Sequence, residues 1–100
     1  MSAVRELTYY EMPEGGPDWE FVAELEETFK RHWGPVEASF GTVFSGDYAG
    51  CMFAVYDFPN WAAYANVQDN WATNPEWMAF LGKAAAKATS VVARQVMELV

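Results

Sequence analysis

The chain has 100 residues, 52% of them hydrophobic and 17% aromatic, and a formal net charge of -8 at pH 7. That length makes one domain, residues 1–100, with a single core. Only six Lys and Arg are present, scattered along the chain, which argues against a nucleic-acid surface and against anionic membranes.

Val4 to Met12 is β-prone and partly alternating, and Pro13-Glu14-Gly15-Gly16 ends it, so it reads as a first strand. A helix opens at Pro17 or Asp18 and runs to about Trp33, with Phe21, Val22, Leu25, Phe29 and Trp33 on its inner face. Its acids crowd the first half and Lys30-Arg31 the last turn, which suits the helix dipole, and Glu26-Lys30 and Glu27-Arg31 have the favourable i,i+4 order. Gly34-Pro35 stops it. Val36 to Phe44 alternates as a second strand, with Val36, Ala38, Phe40, Thr42 and Phe44 sharing a face. Ser45 to Gly50 is a hairpin loop, and Cys51 to Phe58 returns as a third strand, apolar on both faces.

A helix beginning near Pro59 then presents Trp61, Tyr64, Val67 or Gln68, and Trp71 on one face. It breaks at Ala72-Thr73. Asn74-Pro75 caps and opens a second helix, whose stripe is Trp77, Phe80, Leu81 and Ala84 and whose alanine-rich end runs through Lys83 to Lys87. Ser90 to Val100 is the fourth strand. The order β-α-β-β-α-β is the ferredoxin-like α+β arrangement, with both helical segments on one face of a four-stranded antiparallel sheet. The third and fourth strands look apolar on both faces, so the other face is expected to be covered by a second copy, giving a homodimer whose sheets pack into a barrel. The apolar surplus of the chain points the same way, or to a ligand cavity.

The opening E-L-T-Y-Y-E-M-P-E-G-G, the third strand running into D-F and the segment N-P-E-W-M-A-F-L-G-K-A resemble the dimeric α/β-barrel superfamily, and within it the NIPSNAP-like branch. The match covers nearly the whole chain by element order and residues 74 to 84 by motif. The superfamily includes cofactor-free monooxygenases, haem-degrading enzymes and polyketide cyclases. The resemblance therefore implies a pocket for an aromatic or polyketide-like molecule, and no cofactor. The haem-degrading members use an Asn, a Trp and a His; Asn74 and Trp77 match, but no histidine follows them, so the haem ligand is missing.

His32 is the sole histidine and the candidate general base; Tyr48, in the hairpin loop, is the candidate gate and second catalytic group. Phe29, Trp33, Trp61, Tyr64, Trp71, Trp77, Phe80 and Arg94 are the candidate ligand contacts, although such an aromatic stripe usually serves as core. Arg94 and Arg5 have Glu6, Glu37 and Glu98 as candidate partners at a dimer seam; alternatively Arg94 binds an anionic group of the ligand. One His and one Cys with no ligand-spaced cluster give no metal site. Cys51 stands alone in an apolar run, as a small hydrophobe, which agrees with a reducing compartment. The start M-S-A-V-R-E-L lacks the order of a signal peptide and no segment has transmembrane length, so the cytoplasm is expected. The functional expectation is a small-molecule-binding dimer, a cofactor-independent monooxygenase or cyclase if it is an enzyme. The alternative is a non-catalytic assembly module.

Overall fold

The computed structural model describes residues 2–86 and 90–100. Lys87, the expected end of the alanine-rich helix, lies outside the described residues. Four strands, β1 (Ala3–Tyr10), β2 (Glu37–Thr42), β3 (Met52–Phe58) and β4 (Val91–Leu99), form one antiparallel sheet in the order β2-β3-β1-β4. The helices are α1 (Trp19–His32), α2 (Trp61–Asn70) and α3 (Pro75–Ala85), with a 3-10 turn at Trp71–Thr73 between the last two. This is the ferredoxin-like α+β order.

Alternation assigns the two sheet faces. Val4, Glu6, Thr8 and Tyr10 of β1 pair with Phe58, Tyr56, Ala54 and Met52 of β3, and this set faces the helices. The core on that side is built from Val4, Phe29, Trp33, Val36, Phe58, Val67, Trp77 and Phe80. Leu7, Tyr9, Phe53 and Val55 point the other way, where no helix covers them, and each is only partly buried. Arg5 and Asp57 pair on this bare face at 2.7 Å, so Arg5 takes a partner that had not been foreseen. Gly41 is required there: a Cβ on it would lie 2.7 Å from the Phe53 ring, which crosses its backbone.

Capping sets the helix starts. Asp18 accepts from the Phe21 N–H at 3.1 Å and opens α1 as expected. The next helix starts later than its proline suggested, because Asn60 is the cap and accepts from the Ala63 N–H at 2.9 Å. Two further expectations shift. Arg31 does not pair along α1 with Glu27 but reaches Glu76 on α3 at 2.6 Å, while Glu26-Lys30 does pair, at 3.2 Å. Phe44 falls beyond the end of β2 and is 94% exposed. In the single chain β4 lies at the edge of the sheet with β1 as its neighbour, and Val91, Val92 and Val96 are exposed.

No helix among the described residues is long and apolar enough to cross a membrane.

Candidate functional site

Because the ten-residue α2 and the eleven-residue α3 are joined through a 3-10 turn, they arch over the β1 and β4 side of the sheet. A cavity of about 280 Å³ is left beneath them. Its roof includes Val67, Gln68, Trp71, Trp77 and Leu81, and Phe29 of α1 closes one side. Its floor is the helix-facing row of the sheet, in which Glu6, Thr8, Tyr10 and Arg94 place polar groups under aromatic walls. Such an arrangement of apolar walls around a few polar groups is how small ligands are usually held.

The polar floor is specific in its pairing. Glu6 is 5% exposed, and its Oε1 accepts from the Arg94 Nη2 at 2.7 Å. Register explains the contact, since Arg94 sits opposite Thr8, two residues along β1 from Glu6. Burial raises the Tyr10 phenol above its ordinary range, with Arg94 opposing the shift and Glu6 adding to it. Tyr56 is driven further up by the same burial. Its residual accessible area is wall of the cavity, so a partly exposed ring and a strongly desolvated phenol are compatible. Both phenols are neutral hydrogen-bonding groups at physiological pH.

A second cavity, of about 350 Å³, lies under the first half of α1 and shares Tyr10 and Tyr56 with the first. It is larger, but Phe21, Val22, Leu25, Phe40 and Met52 make its walls mainly apolar, and its acidic liners, Glu14 and Asp18, are exposed. We place the candidate site in the smaller cavity because that one has a buried carboxylate, Glu6, paired with a cation at the cavity floor, Arg94.

Of the residues expected at a ligand, the structure brings Phe29, Trp71, Trp77 and Arg94 to this cavity. The others are elsewhere. Trp33 and Phe80 are core. Tyr64 packs on Phe58, and Trp61 is 46% exposed, its Nε1 donating to Glu98 at 2.6 Å on the β4 edge. Glu6 and Thr8 line the cavity and were not foreseen there, and Tyr10, Tyr56 and Gln68 line it with them. The available signal was the β1 alternation, which puts Glu6 on the same face as the core residue Val4.

Neither expected catalytic group lines either cavity. Tyr48 stacks on Tyr9 with ring centroids 4.2 Å apart, so the hairpin loop folds against the bare sheet face rather than over the helices. His32 is tied into the junction of α1 and α3. The Asn74 Oδ1 accepts from the Trp77 N–H at 3.0 Å, which orients its amide so that Nδ2 donates to His32 Nδ1 at 3.2 Å. The imidazole proton is thereby assigned to Nε2, which is buried and faces Glu76 Oε1 at 3.4 Å. His32 is thus a joint between helices. Asn74→Ala removes the α3 cap and this joint together and is expected to cost about 1–2 kcal/mol of stability, read from urea denaturation. A cost near zero would mean that the cap is not formed.

Among the described residues no three His, Cys, Asp or Glu side chains gather closely enough to hold a metal ion.

Comparison with known proteins places the fold. A crystal structure of a NIPSNAP family protein of unknown function from Agrobacterium tumefaciens aligns with a TM-score of 0.68 at 20% identity, over 96% of this chain and 86% of that one. The fold is NIPSNAP-like. A second crystal structure of the Agrobacterium tumefaciens protein gives a TM-score of 0.62 at 19% identity, over 97% and 91% of the two chains. A dimeric protein of unknown function and ferredoxin-like fold from Bacteroides fragilis gives 0.53 at 16%, over 96% and 93%. These neighbours share the fold of this chain. No family model and no curated protein matches the chain.

Proposed function

We propose that this protein binds a small, flat, largely apolar molecule in the cavity beneath α2 and α3, and that it does so as a homodimer packed through the bare sheet face. The observation that carries the binding reading is the buried Glu6 carboxylate, paired with the exposed Arg94, on the floor of an aromatic-walled cavity. A desolvated charged group costs stability, so its retention in a cavity suits a ligand that uses it. The homodimer is supported by the uncovered Leu7, Tyr9, Phe53 and Val55 row and by the dimeric state of the Bacteroides fragilis neighbour. An oxygenase reading relied on His32 or Tyr48 at the ligand, and both lie away from the cavity; the reading is therefore of binding.

Native mass spectrometry on gently purified protein tests both parts. The expected spectrum is a dimer carrying a small molecule that is released on activation. Val55→Glu, on the bare face, is expected to convert the dimer to monomer, because each copy would have to bury an added carboxylate against a second acidic chain. A wild-type monomer would remove the covered-face argument, and a dimer that persists with Val55→Glu would move the interface elsewhere.

A further inference from the structure

The hollow of about 350 Å³ under the first half of α1 has a local cause. Phe21 is turned aside onto Phe80 of α3, the two rings parallel with centroids 5.5 Å apart, so it walls the space beneath its own helix without filling it. Below, the helix-facing row of β3 offers only the single methyl of Ala54. Val22, Leu25 and Phe40 complete the walls, and each is only half-buried. Protein interiors are normally close-packed, and a hollow walled by half-buried apolar side chains is stabilised by an apolar occupant.

The charges of this cavity sit on its solvent side. Glu14, from the loop after β1, and Asp18, the cap of α1, line it and are exposed, and among the described residues no Lys, Arg or His lines it. Lys83, which shares a surface groove with Asp18, is held by Glu24 at 2.8 Å and stays outside the cavity. On the side shared with the smaller cavity stand Tyr10 and Tyr56, whose phenols burial keeps protonated, so that side offers a ligand no charge.

We propose that this cavity is a second binding site and that it takes an apolar molecule ending in an ammonium group. The apolar body fills the hollow, and the ammonium stays at the wet mouth beside Glu14 and Asp18, where its charge is never buried. A carboxylate at the same place would face two like charges on a chain of net charge -8. The site needs nothing from the ligand beneath α2 and α3.

The probes are octylamine, protonated at pH 7, 1-octanol and octanoate, which share one chain and differ in the charge at its end. Isothermal titration at low ionic strength is expected to rank them in that order, with octylamine about tenfold tighter than octanoate, the scale of a few-fold preference from each exposed carboxylate. The gap is expected to narrow in about 0.5 M salt. Glu14→Lys, on an exposed loop, is expected to abolish or reverse the ranking. Nuclear Overhauser effects from the octyl chain are expected at the methyls of Val22, Leu25 and Met52. Effects at Val67 and Leu81 instead would seat the chain beneath α2 and α3 and overturn the second site, as would failure of all three probes to bind. Octanol or octanoate binding as tightly as octylamine would overturn the ammonium class, and so would a ranking untouched by Glu14→Lys. None of these failures removes the ligand proposed for the smaller cavity.

Discussion

Trp77→Ala is expected to cost about 3–5 kcal/mol, the range for truncating a buried aromatic side chain. The Trp77 ring has the edge of Phe29 at 5.7 Å, the edge of Trp33 at 6.1 Å and the stacked ring of Phe80 at 5.9 Å. It is 6% exposed, and it also forms part of the cavity wall. Removing it opens the core into the cavity, where no neighbour can collapse inward to fill the space. For a domain of this length the corresponding fall in Tm is about 12 °C or more, a large share of a total stability that is seldom above about 15 kcal/mol. Trp61→Ala is the matched control. Trp61 is half exposed and its contribution is a hydrogen bond to Glu98 and an edge contact with Tyr64, so a loss near 1 kcal/mol is expected. Urea denaturation of the two variants checks the contrast. Equal losses would show that the two rings are packed alike, contrary to the structure.

The second large effect is alkaline. Burial holds the Tyr56 phenol well above the value near pH 10 at which it ionises in the unfolded chain. Below that value both states keep the proton and Tyr56 contributes no pH dependence. Above it the unfolded chain releases the proton and the folded chain does not, so ionisation draws the equilibrium toward unfolding. Stability is lost at about 1.4 kcal/mol per pH unit from pH 10 upward, until the folded phenol itself ionises. Tyr10, shifted the same way, adds to the slope. Tyr56→Phe should remove the Tyr56 share while leaving stability near neutrality within about 1 kcal/mol, since the ring keeps its stack on Phe29 at 4.7 Å. Urea midpoints measured from about pH 8 to about pH 11 on both proteins give the difference. Parallel pH profiles would mean that the Tyr56 phenol is not desolvated.

Much of the fold was legible because it depends on local signals. The alternation in β1, the Asn74-Pro75 start of α3 and the Gly34-Pro35 stop each act within a few residues, and the element order then fixes the sheet. The site was harder to read, because its polar half is assembled across the sheet. Glu6 meets Arg94 only through the β1 and β4 register, and Thr8, Tyr10 and Tyr56 join it from two further positions of the same face. Helical spacing found Phe29, Trp71 and Trp77, yet the same spacing included Trp61, because α2 is too short to bury both ends of its stripe. His32 looked like a base since it was the lone histidine at a helix end. Its actual partner, Asn74, is 42 residues away and could not be inferred from spacing.

The position of β1 also dictates an order of events in folding. It precedes the other three strands of the sheet in chain order, and it lies in the interior of the sheet, between β3 and β4. Its partners on one side come from the far end of the chain, and Glu6 is separated from Arg94 by 88 residues. A nascent chain emerging from the ribosome therefore holds an acidic side chain in its future core for the whole of synthesis, with no countercharge to offer it. Docking of β4 neutralises it last. The long-range closure slows folding for the chain length, and a chain cut short before residue 91 is expected to leave β1 as an edge strand with Glu6 without its Arg94 partner.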